Sequence, residues 1–279
     1  MKSYLKLVHM EVNRFKYILL GLMGITALCQ FGAVIWWTKW WINEWVEDGL
    51  QNGASFGYGG TSGKLSFFEM IYNTQILFIA PILLSVGVLA IYVFLIWYRD
   101  WFGRDTFIYR LLTLPTARQH IYFAKVTAIL LFVFGLVSFQ LALLPVEEFI
   151  FNLIVPLNLR EPSTLLDIIK STQALTILTP GNFDEFLVSY GLGIMAVLAI
   201  FTAILIERSY RRIGILYAVL YLTICSLAVI LPIVSLGLNV MDGYLYPNEI
   251  FVIELVMCIC VVAISVWLGC RLLAKKITV

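Results

Sequence analysis

The sequence predicts an all-α, polytopic membrane protein, and three observations carry that reading. Hydrophobic residues make up 61% of the 279, charged residues only 13%, and the mean hydropathy is +0.93. Soluble domains run at about 45–50% apolar and about 25% charged, so this chain holds more apolar surface than its own interior can hide. Second, six apolar stretches are each long enough to cross a hydrocarbon core of about 30 Å at about 1.5 Å per helical residue. Third, Lys and Arg crowd into alternate connections between those stretches. The same composition excludes a disordered chain and a disulfide scaffold, and a net charge of +2 is too small for a nucleic-acid footprint.

The six spans are expected at about Tyr17–Ile42, Ile76–Tyr98, Val126–Pro145, Phe186–Ile206, Ile213–Leu236 and Phe251–Cys270, in one membrane domain covering residues 1–279. The first is too long for the roughly 7–15 residues of a signal-peptide core, so it is expected to stay in the mature protein. Six crossings put both termini on one side. With the termini inside, 15 of the 19 basic residues are cytoplasmic, leaving Lys39, Lys64, Arg160 and Lys170 outside. The positive-inside rule therefore predicts cytoplasmic termini. Trp36, Trp37, Trp40, Trp41 and Trp45 form a belt where the first span leaves the outer face, and Trp97, Tyr98, Trp101 and Phe102 mark the inner end of the second. A tryptophan stripe lining a ligand site is the alternative reading of the first cluster.

Residues 1–16 place Met1, Tyr4, Leu5, Val8, Val12 and Phe15 on one helical face, with Lys2, Lys6, His9, Arg14 and Lys16 around the other. This pattern predicts an interfacial helix lying on the inner surface before the chain turns into the bilayer. The outer loop Asn43–Asn73 is glycine-rich and reads as flexible and non-catalytic. Its Gly-Gly-Thr-Ser-Gly-Lys-Leu run fails as a phosphate-binding loop, because Tyr58 stands at the first glycine position and Leu65 follows Lys64. All five cysteines (Cys29, Cys225, Cys258, Cys260 and Cys270) lie in apolar runs without metal or redox spacing.

The inner loop between the second and third spans carries the most information. From Arg99 to Lys125 it interleaves Asp100, Gly103, Arg104, Asp105, Arg110 and Arg118 with aromatic residues and the Leu111-Leu112-Thr113-Leu114-Pro115 run. Asp105 and Thr106 are helix starters and Pro115 is a stop, which predicts a short amphipathic helix on the cytoplasmic side. Its mixed aromatic and charged face suits a docking surface better than a solvated loop.

This order of an acidic-Gly-Asp-Thr stretch, Leu-Leu-x-Leu-Pro-x-x-Arg, then an aromatic run into Ala-Lys resembles ABC-2 type transporter permeases, near the bacterial bacitracin and lantibiotic exporter branch. The resemblance extends to the interfacial helix, the six spans and a cytoplasmic coupling helix. It implies that the loop docks into a groove on a separate ATPase, with Asp100, Gly103, Asp105, Leu112, Pro115 and Arg118 at the matching positions and Arg104 and Arg110 within the same loop. It also implies two ATPase copies holding the ATP and Mg, no cofactor in this chain, a second permease, identical or related, and a bacterial plasma membrane. Family members often carry Glu where this chain has Asp100 or Asp105.

Val146–Glu185 is long and apolar, and predicts one or two short helices that dip into the outer interface or cap the pathway. Ionisable groups in and near the spans nominate a site: Glu147 and Glu148 follow Pro145, and Glu254 sits one turn inside the start of the sixth span. All three are placed near the outer boundary, within reach of headgroup water. Gln30 and Gln140 join them as pathway candidates, with inter-helix hydrogen bonding as their structural reading. Enzyme chemistry fits poorly. His9 and His120 are the only histidines and both lie at the inner interface, and no serine is paired with a buried base. The alternatives to an exporter subunit are an ion-coupled secondary transporter and a non-transporting sensor or assembly partner.

Overall fold

A computed structural model gives the structure of residues 2–52, 64–102, 117–164, 168–169, 173–232, 234 and 247–275. Its elements in chain order are α1 (Lys2–Asn52), β1 (Leu65–Ser66), α2 (Phe67–Asn73), α3 (Gln75–Phe102), α4 (Gln119–Ile154), a 3-10 turn (Leu157–Leu159) and β2 (Arg160–Glu161). They continue with α5 (Gln173–Leu178), α6 (Phe183–Ser209), α7 (Arg211–Pro232) and α8 (Pro247–Lys275). Six helices are long and apolar enough to cross a membrane, over Ser3–Glu44, Gln75–Trp101, Gln119–Ile154, Phe183–Ser209, Ile213–Pro232 and Phe251–Ala274. Large apolar side chains such as Leu28, Ile76, Leu83, Leu153, Leu216 and Ile259 are exposed, as lipid-facing residues are.

Three expectations are corrected. The turn between an interfacial helix and the first span is absent, because α1 runs unbroken for 51 residues. Its N-terminal apolar stripe is covered by protein only in part: Val8 and Phe15 are buried and Tyr4 Oη shares a 2.6 Å hydrogen bond with Thr127 Oγ1 of α4, whereas Leu5 is exposed. Pro145 does not end the third span, and α4 continues to Ile154. The segment Asn43–Asn73, expected as a flexible loop, is partly regular: α1 extends to Asn52, and β1 and α2 follow. Ser66 caps α2 by accepting from the Glu69 N–H at 3.1 Å, which satisfies one of the donors a helix start leaves free.

The chain divides into two compact units. Unit one comprises Met1–Arg14, Leu89–Leu130 and Phe186–Val279, and unit two comprises Phe15–Val88 and Leu131–Glu185. The core of unit one is aromatic. Trp97, Tyr122 and Phe201 are fully buried, with ring centroids 5.6 Å apart for Trp97 and Phe201 and 5.9 Å for Tyr122 and Phe201, both edge to face. Glycine lets helices approach this core: a Cβ on Gly269 of α8 would lie 3.0 Å from the Tyr122 ring. At Gly214 of α7 the approach is tighter still, since a Cβ would come within 2.2 Å of the Glu207 carbonyl oxygen at the end of α6.

In unit two, α1 and α4 run the same way, with Phe15 against Phe132 and, further along, Gln30 against Gln140. Beyond the glutamine pair lies an apolar cluster in which Val34 and Trp41 of α1 and Leu144 and Phe151 of α4 meet a cap of short elements. The cap contributes Leu65 from β1, Phe67, Met70 and Ile71 from α2, Ile168, and Leu175 from α5. β1 and β2 pair in parallel, Leu65 opposite Arg160 and Ser66 opposite Glu161. The short helical elements expected within Val146–Glu185 are present as the 3-10 turn and α5. Arg160 closes the C-terminal end of α4, donating to the carbonyl oxygens of Asn152 and, at 2.8 Å, Val155.

Candidate functional site

Unit one holds a buried ionic network built from three helices. Glu11 of α1, Asp100 at the end of α3 and Lys125 at the start of α4 are no more than 2% exposed. Isolated charges at that depth cost several kcal/mol, so pairing has to be complete. It is. The Lys125 ammonium donates to Glu11 Oε1 at 2.9 Å, to Asp100 Oδ2 at 2.5 Å and to the Ile96 carbonyl at 2.9 Å, using all three of its protons. The second oxygen of each carboxylate takes an arginine: Arg99 reaches Glu11 Oε2 at 2.8 Å and Arg14 reaches Asp100 Oδ1 at 3.0 Å. The ammonium also lies 5.2 Å from the centre of the Trp97 ring, within cation–π range.

Two neighbouring contacts extend this end of unit one to α6 and α8. Tyr98 of α3 donates to the Glu207 carboxylate of α6, and the Arg208 guanidinium lies 5.0 Å from the Tyr98 ring and 5.8 Å from the Trp101 ring. Arg118, just before α4, donates to the Leu273 carbonyl of α8 at 3.2 Å. Residues 103–116 are thus flanked by Asp100 and Arg118, each tied to a different helix.

Among the residues nominated from sequence, Gly103, Arg104, Asp105, Arg110, Leu112 and Pro115 lie outside the described residues, and so does the expected coupling helix. Asp100 belongs to the last turn of α3 and is buried in ion pairs, where the sequence placed it in a loop. Gln30 and Gln140 form the inter-helix pair their chemistry allows, exchanging amide hydrogen bonds of 3.1 and 3.2 Å. Glu148 and Glu254 are half-buried on α4 and α8. Glu147 is corrected: it is 0% exposed rather than within reach of headgroup water, because its helix face is the one beneath the cap.

Sequence reasoning missed the network because its members are far apart in the chain and each looked like an ordinary interfacial charge. One signal was present: Glu11 interrupts the apolar stripe of Val8, Val12 and Phe15, and an acid on a buried face demands a partner. No family model matches this chain, and neither a curated protein nor a solved structure matches it.

Proposed function

We propose that this chain is the membrane-spanning permease subunit of an exporter driven by a separate ATP-binding-cassette ATPase, moving an amphipathic peptide, antibiotic or lipid-like molecule. The observation that carries the reading is the anchoring on both sides of residues 103–116. On one side Asp100 is fixed to α1 and α4, and on the other Arg118 is fixed to α8. A push on a segment held this way is transmitted to the ends of several helices rather than absorbed locally. In this reading two ATPase copies dock on that segment, hydrolyse ATP with Mg, and rock the helices of two permeases. The permease performs no chemistry. Asp100 acts through helix position, since its carboxylate is engaged within unit one. The membrane is the plasma membrane of a bacterium, and both termini are cytoplasmic.

An ion-gradient transporter would call for broken helices near the bilayer midplane. The six long helices are continuous over their described spans, which weighs against that alternative.

The test is gentle purification from the native membrane, followed by vanadate-sensitive ATP hydrolysis of the preparation. A stoichiometric ATPase is expected to accompany the chain and to be lost on Asp105→Ala or Arg118→Ala while the chain still inserts. A clean chain with no nucleotide-binding partner would sink the reading.

A further inference from the structure

A second polar feature, in unit two, takes no part in the ionic network. Glu147 of α4 is 0% exposed, and neither oxygen of its carboxyl meets a hydrogen-bond partner among the described residues. Thr38 of α1 is also 0% exposed, with its Oγ1 equally unpartnered. Both lie on the faces that build the apolar cluster: Thr38 falls between Val34 and Trp41, and Glu147 between Leu144 and Phe151. Thr38 lies eight residues beyond Gln30 on α1 and Glu147 seven beyond Gln140 on α4, both in the stretch that builds the apolar cluster. The hydrogen bonds of the two glutamines run to each other, and neither bonds Thr38 or Glu147.

Among the described residues, no cationic side chain pairs with Glu147. Of the described basic residues at this end of unit two, Lys39 and Lys64 are exposed, and Arg160 turns one guanidinium nitrogen to the carbonyl oxygens of Asn152 and Val155. A buried carboxyl with both oxygens unused is costly, and native structures keep such a group where something else completes it. The surroundings say what kind of group. One carboxyl and one hydroxyl fall well short of the six or more oxygens that a hard metal ion requires. Trp41 is in the cluster and Trp37 packs against it, and indole faces attract organic cations.

The same cluster is closed by the cap of two-residue strands and helices of seven and six residues, so entry to it requires the cap to move. We propose that Glu147 and Thr38 form a binding site for the cationic nitrogen of an amphiphilic ligand, entered when the cap of β1, α2, β2 and α5 lifts. The site deepens the export reading by naming a charge for the substrate, and its test needs no partner ATPase.

The experiment uses the full chain in lipid nanodiscs with dodecylguanidinium as the probe and dodecanol as its neutral counterpart. Saturable binding of the cation is expected, weakened about thirtyfold or more by Glu147→Gln, with dodecanol indifferent to the change. A measurement on the unaltered chain covers the case of a variant that fails to fold. There, dodecylguanidinium should slow the labelling of Glu147 by a hydrophobic carbodiimide, located by peptide mass spectrometry, and leave labelling of Glu254 unchanged. Equal binding of cation and alcohol, unchanged affinity in a folded Glu147→Gln, or absence of protection at Glu147 would each overturn the proposal. Cation binding by a preparation without ATPase would retain this site and remove the exporter; an accompanying ATPase without cation binding would do the reverse.

Discussion

Lys125 shows how a single residue can hold three helices. Its ammonium is buried beside two carboxylates, and each of its protons has an acceptor. Such pairs add little net stability over an apolar replacement, yet removing one member leaves the others charged and unpaired. Lys125→Ala leaves one buried oxygen each of Glu11 and Asp100 without its partner, with a loss of about 3–5 kcal/mol expected. The triple change Glu11→Gln, Asp100→Asn and Lys125→Met should recover most of that loss, because the buried charges go together. Reversible unfolding in mixed detergent micelles measures both. A Lys125→Ala chain as stable as the original would show that the network is not closed as described. Individual charges were legible in the sequence, but their partners were not: a period of helical faces says which side is apolar, not which distant helix covers it.

At the scale of elements, the cap of unit two carries a pH dependence. The Glu69 carboxyl of α2 is held above its ordinary value of 4.5, first by desolvation and then by the neighbouring charge of Glu161 on β2. Burial and a like charge both disfavour the ionised form, so the folded cap binds the proton more tightly than the unfolded chain does. That contribution is full below the ordinary value and is lost as pH rises through the raised one. Glu69→Gln should therefore protect the α2 amides from hydrogen exchange better than the original at pH about 7, and equally well at pH about 4. Comparing variant and original at each pH cancels the intrinsic exchange rate, and a gap that stays constant with pH would refute the coupling. The cap was only half visible beforehand. Val146–Glu185 signalled short helices through its apolar spacing, whereas β1 and β2 pair only two residues each, too few to show an alternating pattern. The glycine-rich loop hid α2, whose Phe67, Met70 and Ile71 are buried by the tertiary cluster rather than by any propensity of their own.

For the whole molecule, the six long apolar helices were legible because a bilayer demands about 20 apolar residues in a row, a signal stronger than any single motif. Their ends were less so: α1 and α4 outrun the hydrocarbon thickness, with Tyr4 near the start of α1 and Phe151 near the end of α4 packed against protein. Orientation rests on the basic residues. If the chain crosses six times, fifteen of the 19 share a side with both termini, and the positive-inside rule makes that side the cytoplasmic one. A fluorescent protein that matures only in the cytoplasm is thus expected to light up when fused at either terminus. Alkaline phosphatase, active only outside, should work when inserted within residues 53–63 and fail within residues 103–116. Phosphatase activity at 103–116 would invert the molecule, put the anchored segment beyond the reach of any cytoplasmic ATPase, and end the exporter reading. Activity confined to 53–63 would set Glu147 and its cap on the outward side, where a lifted cap opens toward the cell exterior.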